Sequence, residues 1–149
     1  MFNLNVVTGK LTYIDSRIDR LQKFSEITLE DYQGNLDYQA IIERNLKNLI
    51  QAAADTNRYL LKKQLNLSSG ELDQITNRES FLLSAQAGIL PKPLAKKLSE
   101  SAEFWNVLAY LYEKVIPERA IETMKNVLQY YPEYFNVVRS YLDTIEDKL

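Results

Sequence analysis

Apolar side chains recur at steps of three and four along nearly all of this 149-residue chain, a spacing that gathers them on one face of an α-helix and scatters them over both faces of a strand. Leu11, Ile14, Ile18 and Leu21 set the rhythm, and Ile42, Leu46, Leu49, Ala53, Thr56 and Leu60 carry it through about five turns. No run alternates apolar and polar residues with the period of a half-buried strand. With 4 Gly and 4 Pro in the whole chain, few positions are left for tight turns. These features predict an all-α chain, an up-and-down bundle of about five helices.

The breaks in the rhythm divide the helices. The segment ITLEDYQGN, with Gly34 and Asn35, reads as a loop with Asn35 or Asp37 at the next helix cap. A second break falls at NLSSGELDQITN. A short third helix is expected over about Glu79 to Ala87, closed by Gly88. Pro91 and Pro93 open a fourth helix. Its stripe is Leu94, Leu98, Ala102, Trp105, Leu108, Ala109, Tyr112 and Val115, ending before Pro117.

The last segment sets two rules against each other. Ile121, Met124, Leu128, Tyr131, Phe135, Val138, Leu142 and Ile145 keep one phase, yet Pro132 stands among them. Proline has no amide hydrogen to give and crowds the carbonyl four residues back, here that of Leu128. Because the phase survives, the expectation is one helix kinked near Pro132, not two helices joined by a loop.

Composition then removes whole classes of chemistry. Hydrophobic residues at 46% and charged residues at 26% exclude a disordered chain and suit one domain spanning residues 1–149. A net charge of −2 supplies no overall field for nucleic acid. There is no cysteine, so disulfides and thiolate chemistry fall away, as in a reducing compartment. There is no histidine, so imidazole acid/base catalysis and the usual zinc sites fall away too, and neither metal nor cofactor is expected. Met1–Lys10 lacks the pattern of a secretion signal, and no segment is apolar enough to span a membrane. A cytoplasmic protein is the expectation.

The run AGILPKPLAKKLSESAEFWNVLAYLYEKVIPERAIETM, from Ala87 to Met124, carries the one specific signal. Together with RESFLLSAQ before it and DYQAIIERNLKNLIQAAADTNRYLL as the long second helix, it resembles the HepT-like branch of HEPN-domain proteins, the ribonuclease toxins of bacterial toxin–antitoxin pairs. In that family the fourth helix carries arginine, asparagine, two spacers of which the second is usually leucine, one further residue, histidine, one spacer and tyrosine. Here the eight positions read Trp105, Asn106, Val107, Leu108, Ala109, Tyr110, Leu111 and Tyr112. Asn106, Leu108 and Tyr112 fit, whereas Trp105 stands for the arginine and Tyr110 for the histidine.

The resemblance implies metal-independent RNA cleavage, in which the histidine and arginine promote attack of a ribose 2′-hydroxyl on the adjacent phosphate. That chemistry needs a proton carrier near neutrality and a fixed cation for the phosphorane. A phenol, ordinarily titrating near pH 10, and an uncharged indole supply neither. Losing one such group costs about two to four orders of magnitude in rate, and two are missing together. The motif reads as degenerate, with no confident catalytic residue at Trp105, Asn106 or Tyr110.

The surroundings admit plainer readings. Lys96, Lys97 and Lys114 lie within a few turns of Tyr110, but lysines on a helix usually form a solvated face. Trp105 falls on the apolar stripe, which favours packing over base stacking. Asn106 and Tyr110 share a face flanked by Glu103 and Glu113, whose acidity would repel phosphate. In related pairs the antitoxin is a minimal nucleotidyltransferase that adds AMP to the tyrosine two residues after the histidine. Tyr112 holds that position, and the alternative is that it packs in the stripe. Surplus tyrosines leave two readings of the apolar faces, a monomer core or a homodimer seam.

Three functions follow from this reading. The first is a degenerate HepT-like protein that dimerises and binds a nucleotidyltransferase antitoxin. The second is a weak or altered ribonuclease that uses Tyr110, Asn106 and the nearby lysines and still contacts RNA. The third is a helical interaction protein without a toxin–antitoxin role.

Overall fold

The computed structural model describes residues 3–146, and side chains through 145; Met1, Phe2 and the last three residues lie outside this range. All regular structure in it is helical: α1 Leu4–Gln22, α2 Leu29–Gly34, α3 Leu36–Leu65, α4 Ser69–Asp73, α5 Asn77–Gln86, α6 Lys92–Tyr110, a 3-10 turn Tyr112–Lys114, and α7 Pro117–Glu146. The five longer helices close a ring, with α1 on α3, α3 on α5, α5 on α6, α6 on α7 and α7 back on α1. α3 also touches α6 and α7 across the middle. The expected all-α, up-and-down arrangement of about five helices is present, with two short helices added in the breaks.

Those two additions correct the reading of both breaks, and each has a local cause. Thr28 and Asp31 form a reciprocal capping box, which satisfies amide hydrogens at the start of α2. Tyr32 then anchors this helix by burying its ring and donating to a Glu43 carboxylate oxygen at 2.8 Å. Ser68 and Glu71 form the equivalent box on α4. Asn35, not Asp37, caps α3, accepting from the amides of Asp37 and Tyr38. α5 starts at Asn77, behind a Thr76 cap, and Gly88 turns the chain at φ +80°, a conformation easy only for glycine.

α6 ends earlier than its stripe suggests. Leu111 leaves helical geometry at φ −127°, ψ 36°, so Tyr112 and Val115 are not helical stripe positions. Pro117 opens α7 and disfavours helical geometry at Ile116, so the chain needs a non-helical stretch before it can reverse. α7 runs through Pro132 as one helix. Its deepest residues include Val127 and Tyr134 as well as Met124, Tyr131 and Val138, while Leu128 and Phe135 are only half-buried.

Buried apolar residues from all five longer helices form one contiguous core, with Phe81 as the contribution of α5. Three of its aromatic rings meet at the centre: Phe81 meets Tyr131 at 6.3 Å and Tyr134 at 5.9 Å, both edge to face. Their polar ends are satisfied internally. Tyr134 Oη donates to Asn57 Oδ1 at 2.6 Å, Asn57 Nδ2 donates to Ser80 Oγ at 3.1 Å, and Tyr131 Oη pairs with Ser101 Oγ at 2.9 Å. This network ties α3, α5, α6 and α7 together beneath the surface that holds the candidate site.

Candidate functional site

The last turns of α6 form one wall of a groove of about 690 Å³, whose other walls are α3, α5 and the segment joining α4 to α5. Trp105, Asn106 and Tyr110 line it together. Asn106 and Tyr110, four residues apart, share one flank of α6, and Trp105 joins them from the adjoining side of the helix, where it packs beside the core with Leu108.

Trp105 is half-buried and packs against the core, as its place on the stripe predicts. Its Nε1 lies out of solvent without an acceptor among the described residues. Tyr110 is 72% exposed and meets the indole edge to face, centroids 5.7 Å apart. Tyr112 is separated from this pair by the end of the helix. It is 68% exposed on the 3-10 turn, so the alternative that it packs in the stripe is overturned. With Tyr110, Leu111 and Ile116 it makes an exposed apolar run at this end of the molecule.

The cations at the groove are not the lysines. Lys96 and Lys97 sit at the start of α6, roughly 20 Å along the helix from Tyr110. Neither they nor Lys114 lines the groove. Two arginines from other helices do, and nothing in the linear order pairs them with the motif.

Arg58, on α3, donates to the Ile75 carbonyl at 2.8 Å and to Asn77 Oδ1 at 2.7 Å, and pairs with Asp55 at 3.4 Å. Burial draws its pKa downward while Asp55 and Asp73 draw it upward; a guanidinium stays charged throughout. Arg58 thereby fastens the chain between α4 and α5. Arg78, on α5, reaches across to α6 and pairs through Nε with Glu103 at 2.9 Å, both side chains about half exposed. Glu103 is therefore a paired charge, and Glu113 stands on the 3-10 turn away from the lining. In place of the acidic face expected from Glu103 and Glu113, the groove holds the Asp55–Arg58 pair and Arg78, whose partner Glu103 lies outside the lining, with Asp73 at its edge.

Amides complete the lining. Asn77 Nδ2 donates to Gln51 Oε1 at 3.1 Å, joining α5 to α3 across the floor. The i, i+3 spacing of Asp55 and Arg58 was the one sequence signal for any of these residues. Among the described residues no three His, Cys, Asp or Glu side chains gather as a metal site, and no helix is long and apolar enough to cross a membrane.

Comparison with known proteins places this arrangement. The sequence model of the family described as "Ribonuclease HepT-like" matches residues 14–140. The chain is 34% identical over 143 residues to the tRNA nuclease HepT of Aphanizomenon flos-aquae (strain 2012/KM1/D3), covering 96% of this chain and 94% of that protein. Its fold is similar to that of a tri-AMPylated Shewanella oneidensis HEPN toxin solved in complex with an MNT antitoxin, with a TM-score of 0.77 at 19% identity over 93% of this chain and 99% of that one. It is also similar to a toxin–antitoxin structure with AMP-PNP, with a TM-score of 0.76 at 18% identity over 91% and 98%. A family match over most of the chain, a relative sharing a third of its residues over nearly full length, and the same helical bundle agree: this chain belongs to the HepT-like ribonuclease family.

Proposed function

We propose that this chain is a HepT-like toxin component that has lost RNA cleavage and acts by pairing, with itself and with a nucleotidyltransferase antitoxin in the cytoplasm. One observation carries the first half. At the positions where the family motif places its arginine and histidine, Trp105 and Tyr110 form an aromatic contact, and the sequence holds no histidine elsewhere. Arg58 keeps a fixed cation beside the groove. A proton carrier suited to neutral pH is what the site lacks.

The second half rests on the solved relatives, which are toxin–antitoxin complexes, one with an MNT antitoxin. The exposed run of Tyr110, Leu111, Tyr112 and Ile116 offers apolar surface to such a partner or to a second copy. Tyr112 is accessible enough to accept a nucleotide from it. In this reading residues 1–149 act as one domain, without metal or cofactor.

The deciding experiment is metal-free cleavage of labelled single-stranded RNA by the native chain and by Trp105→Arg/Tyr110→His. Cleavage by the variant alone is expected. Cleavage by the native chain that Tyr110→Phe abolishes would establish the altered-ribonuclease reading instead. For the partner, co-expression with a minimal nucleotidyltransferase of the MNT antitoxin kind should give a co-purifying complex and an AMP mass on native protein, absent from Tyr112→Phe. No complex and no added mass would leave a helical interaction protein.

A further inference from the structure

We infer that the groove between α6 and α7 binds an aliphatic polyamine, its ammonium groups held by Glu100 and Glu122 on facing helices and by the Thr123 hydroxyl beneath them. The site is separate from the groove that the α6 motif lines, and the inference holds whether or not the chain cleaves RNA.

This groove measures about 300 Å³ and is lined by α6 and α7 alone, a size that suits a small, flexible guest. Its rim is acidic. Glu100 comes from α6 and Glu122 from α7, and neither has an ion-pair partner among the described residues. Glu103 lines it as well but is already paired with Arg78. Arg119 is the one cation in the lining among the described residues. Negative charge is therefore in excess on the walls, which favours a positive guest.

Carboxylates alone would make only a solvated face, and the side chains beneath them make a site. Thr123 lines the groove at 8% exposure and has no hydrogen-bond partner among the described residues. Thr8, Thr12, Thr56 and Thr144 each donate to a carbonyl three or four residues back on their own helix, the usual outlet for a helical hydroxyl. Thr123 does not. Three residues on, Asn126 Oδ1 lies out of solvent without a donor. Burying such oxygens unbonded costs free energy, which a guest carrying N–H donors relieves.

The chemistry of that guest follows from the acceptors. An ammonium offers three donors and no acceptor. A metal ion fits less well, because among the described residues no three carboxylates gather closely enough to hold one. Two unpaired carboxylates on facing helices call for two positive charges joined by a flexible apolar chain, which is a polyamine.

The probe is spermidine, titrated calorimetrically into the full chain at physiological salt, where diffuse attraction is screened. Native protein should bind one equivalent saturably. Glu100→Gln/Glu122→Gln should weaken binding about tenfold, each exposed pair being worth up to about fivefold. Arg119→Gln should tighten it about twofold by removing the opposing charge. Thr123→Val should weaken it about fivefold and leave the ligand-free melting temperature unchanged or higher, since the deleted hydroxyl has no partner to lose. Glu133→Gln, about three turns further along α7, should bind like the native chain. Mg²⁺ in about tenfold excess over spermidine should not displace it.

The glutamates and Arg119 are exposed and valine has nearly the shape of threonine, so the variants should fold. Absence of saturable binding, or a Glu133→Gln loss equal to that of the double variant, overturns the inference in favour of a diffuse acidic surface. Displacement by Mg²⁺ overturns it in favour of a divalent-cation site. A Thr123→Val protein that binds like the native one, or that melts clearly lower without ligand, overturns the role of the hydroxyl and with it the site.

Discussion

Trp105 and Tyr110 stand five residues apart on α6, and their rings meet at 85° with centroids 5.7 Å apart. Five residues is more than one helical turn, so the contact requires the tyrosine, at the last position of the helix, to lean back over the indole. Two residues that look independent in the sequence are thus one packed unit.

That coupling predicts non-additive reversal. Tyr110→His alone restores a titrating group with no charge at position 105, and Trp105→Arg alone restores a charge with no proton carrier. Each single variant should show no more than about a hundredth of the cleavage rate of the double variant, since one catalytic group of this kind is worth about two to four orders of magnitude. Single-turnover cleavage of one labelled RNA by all four proteins makes the comparison, and singles that match the double would refute it.

The buried Tyr134 hydroxyl donates to Asn57 Oδ1 at 2.6 Å. Tyr134→Phe leaves that acceptor buried and unpaired among packed rings, at a cost of about 1–3 kcal/mol. Urea unfolding should show a lower midpoint with an unchanged slope. A midpoint equal to the native one would mean that Asn57 finds another donor.

Arg58 should matter to the segment it fastens more than to the whole fold. Arg58→Lys keeps the charge but cannot reproduce the fork that reaches both Ile75 and Asn77. Amide exchange should accelerate over residues 71–77 while α1 and α7 keep native protection. Uniform acceleration would show that the groove wall and the core unfold together.

Alkaline pH should unfold the protein in a way that neutral pH does not foreshadow. Burial raises the pKa of Tyr32, Tyr131 and Tyr134, and for Tyr32 the bond to Glu43 adds to it. A phenol with a raised folded pKa contributes fully below its unfolded value, near 10, and that contribution is lost as pH climbs toward the folded value. Chemical unfolding should therefore give near-constant stability from about pH 6 to 9, there being no histidine to titrate. Above pH 10 it should fall by up to about 1.4 kcal/mol per pH unit for each of these tyrosines. Tyr134→Phe should lose its stability less steeply there. A decline that begins near pH 7 would show that another group dominates.

Much of the fold was legible because helical burial repeats locally. The stripes on α1 and α3 named buried residues directly, Gly88 marked a turn, and the phase kept across Pro132 marked one helix. The two short helices escaped notice because capping boxes at Thr28 and Ser68 stabilise a turn too brief to show a stripe. The end of α6 escaped because apolar spacing persists through Tyr112 and Val115 although the backbone has already left the helix.

The site divides along the same line. Order and spacing along one helix brought Trp105, Asn106, Tyr110 and Tyr112 into one short motif that resembles the family's, since neighbours on a helix are set by its pitch. Only the tertiary structure decided what those positions face. Arg58 and Arg78 come from α3 and α5, Glu103 is paired from across a helix interface, and Tyr112 is left in solvent by the turn that follows the end of α6 at Tyr110. Side chains from different helices meet through packing of the shared core, and no one-dimensional pattern records which charge will end beside which ring.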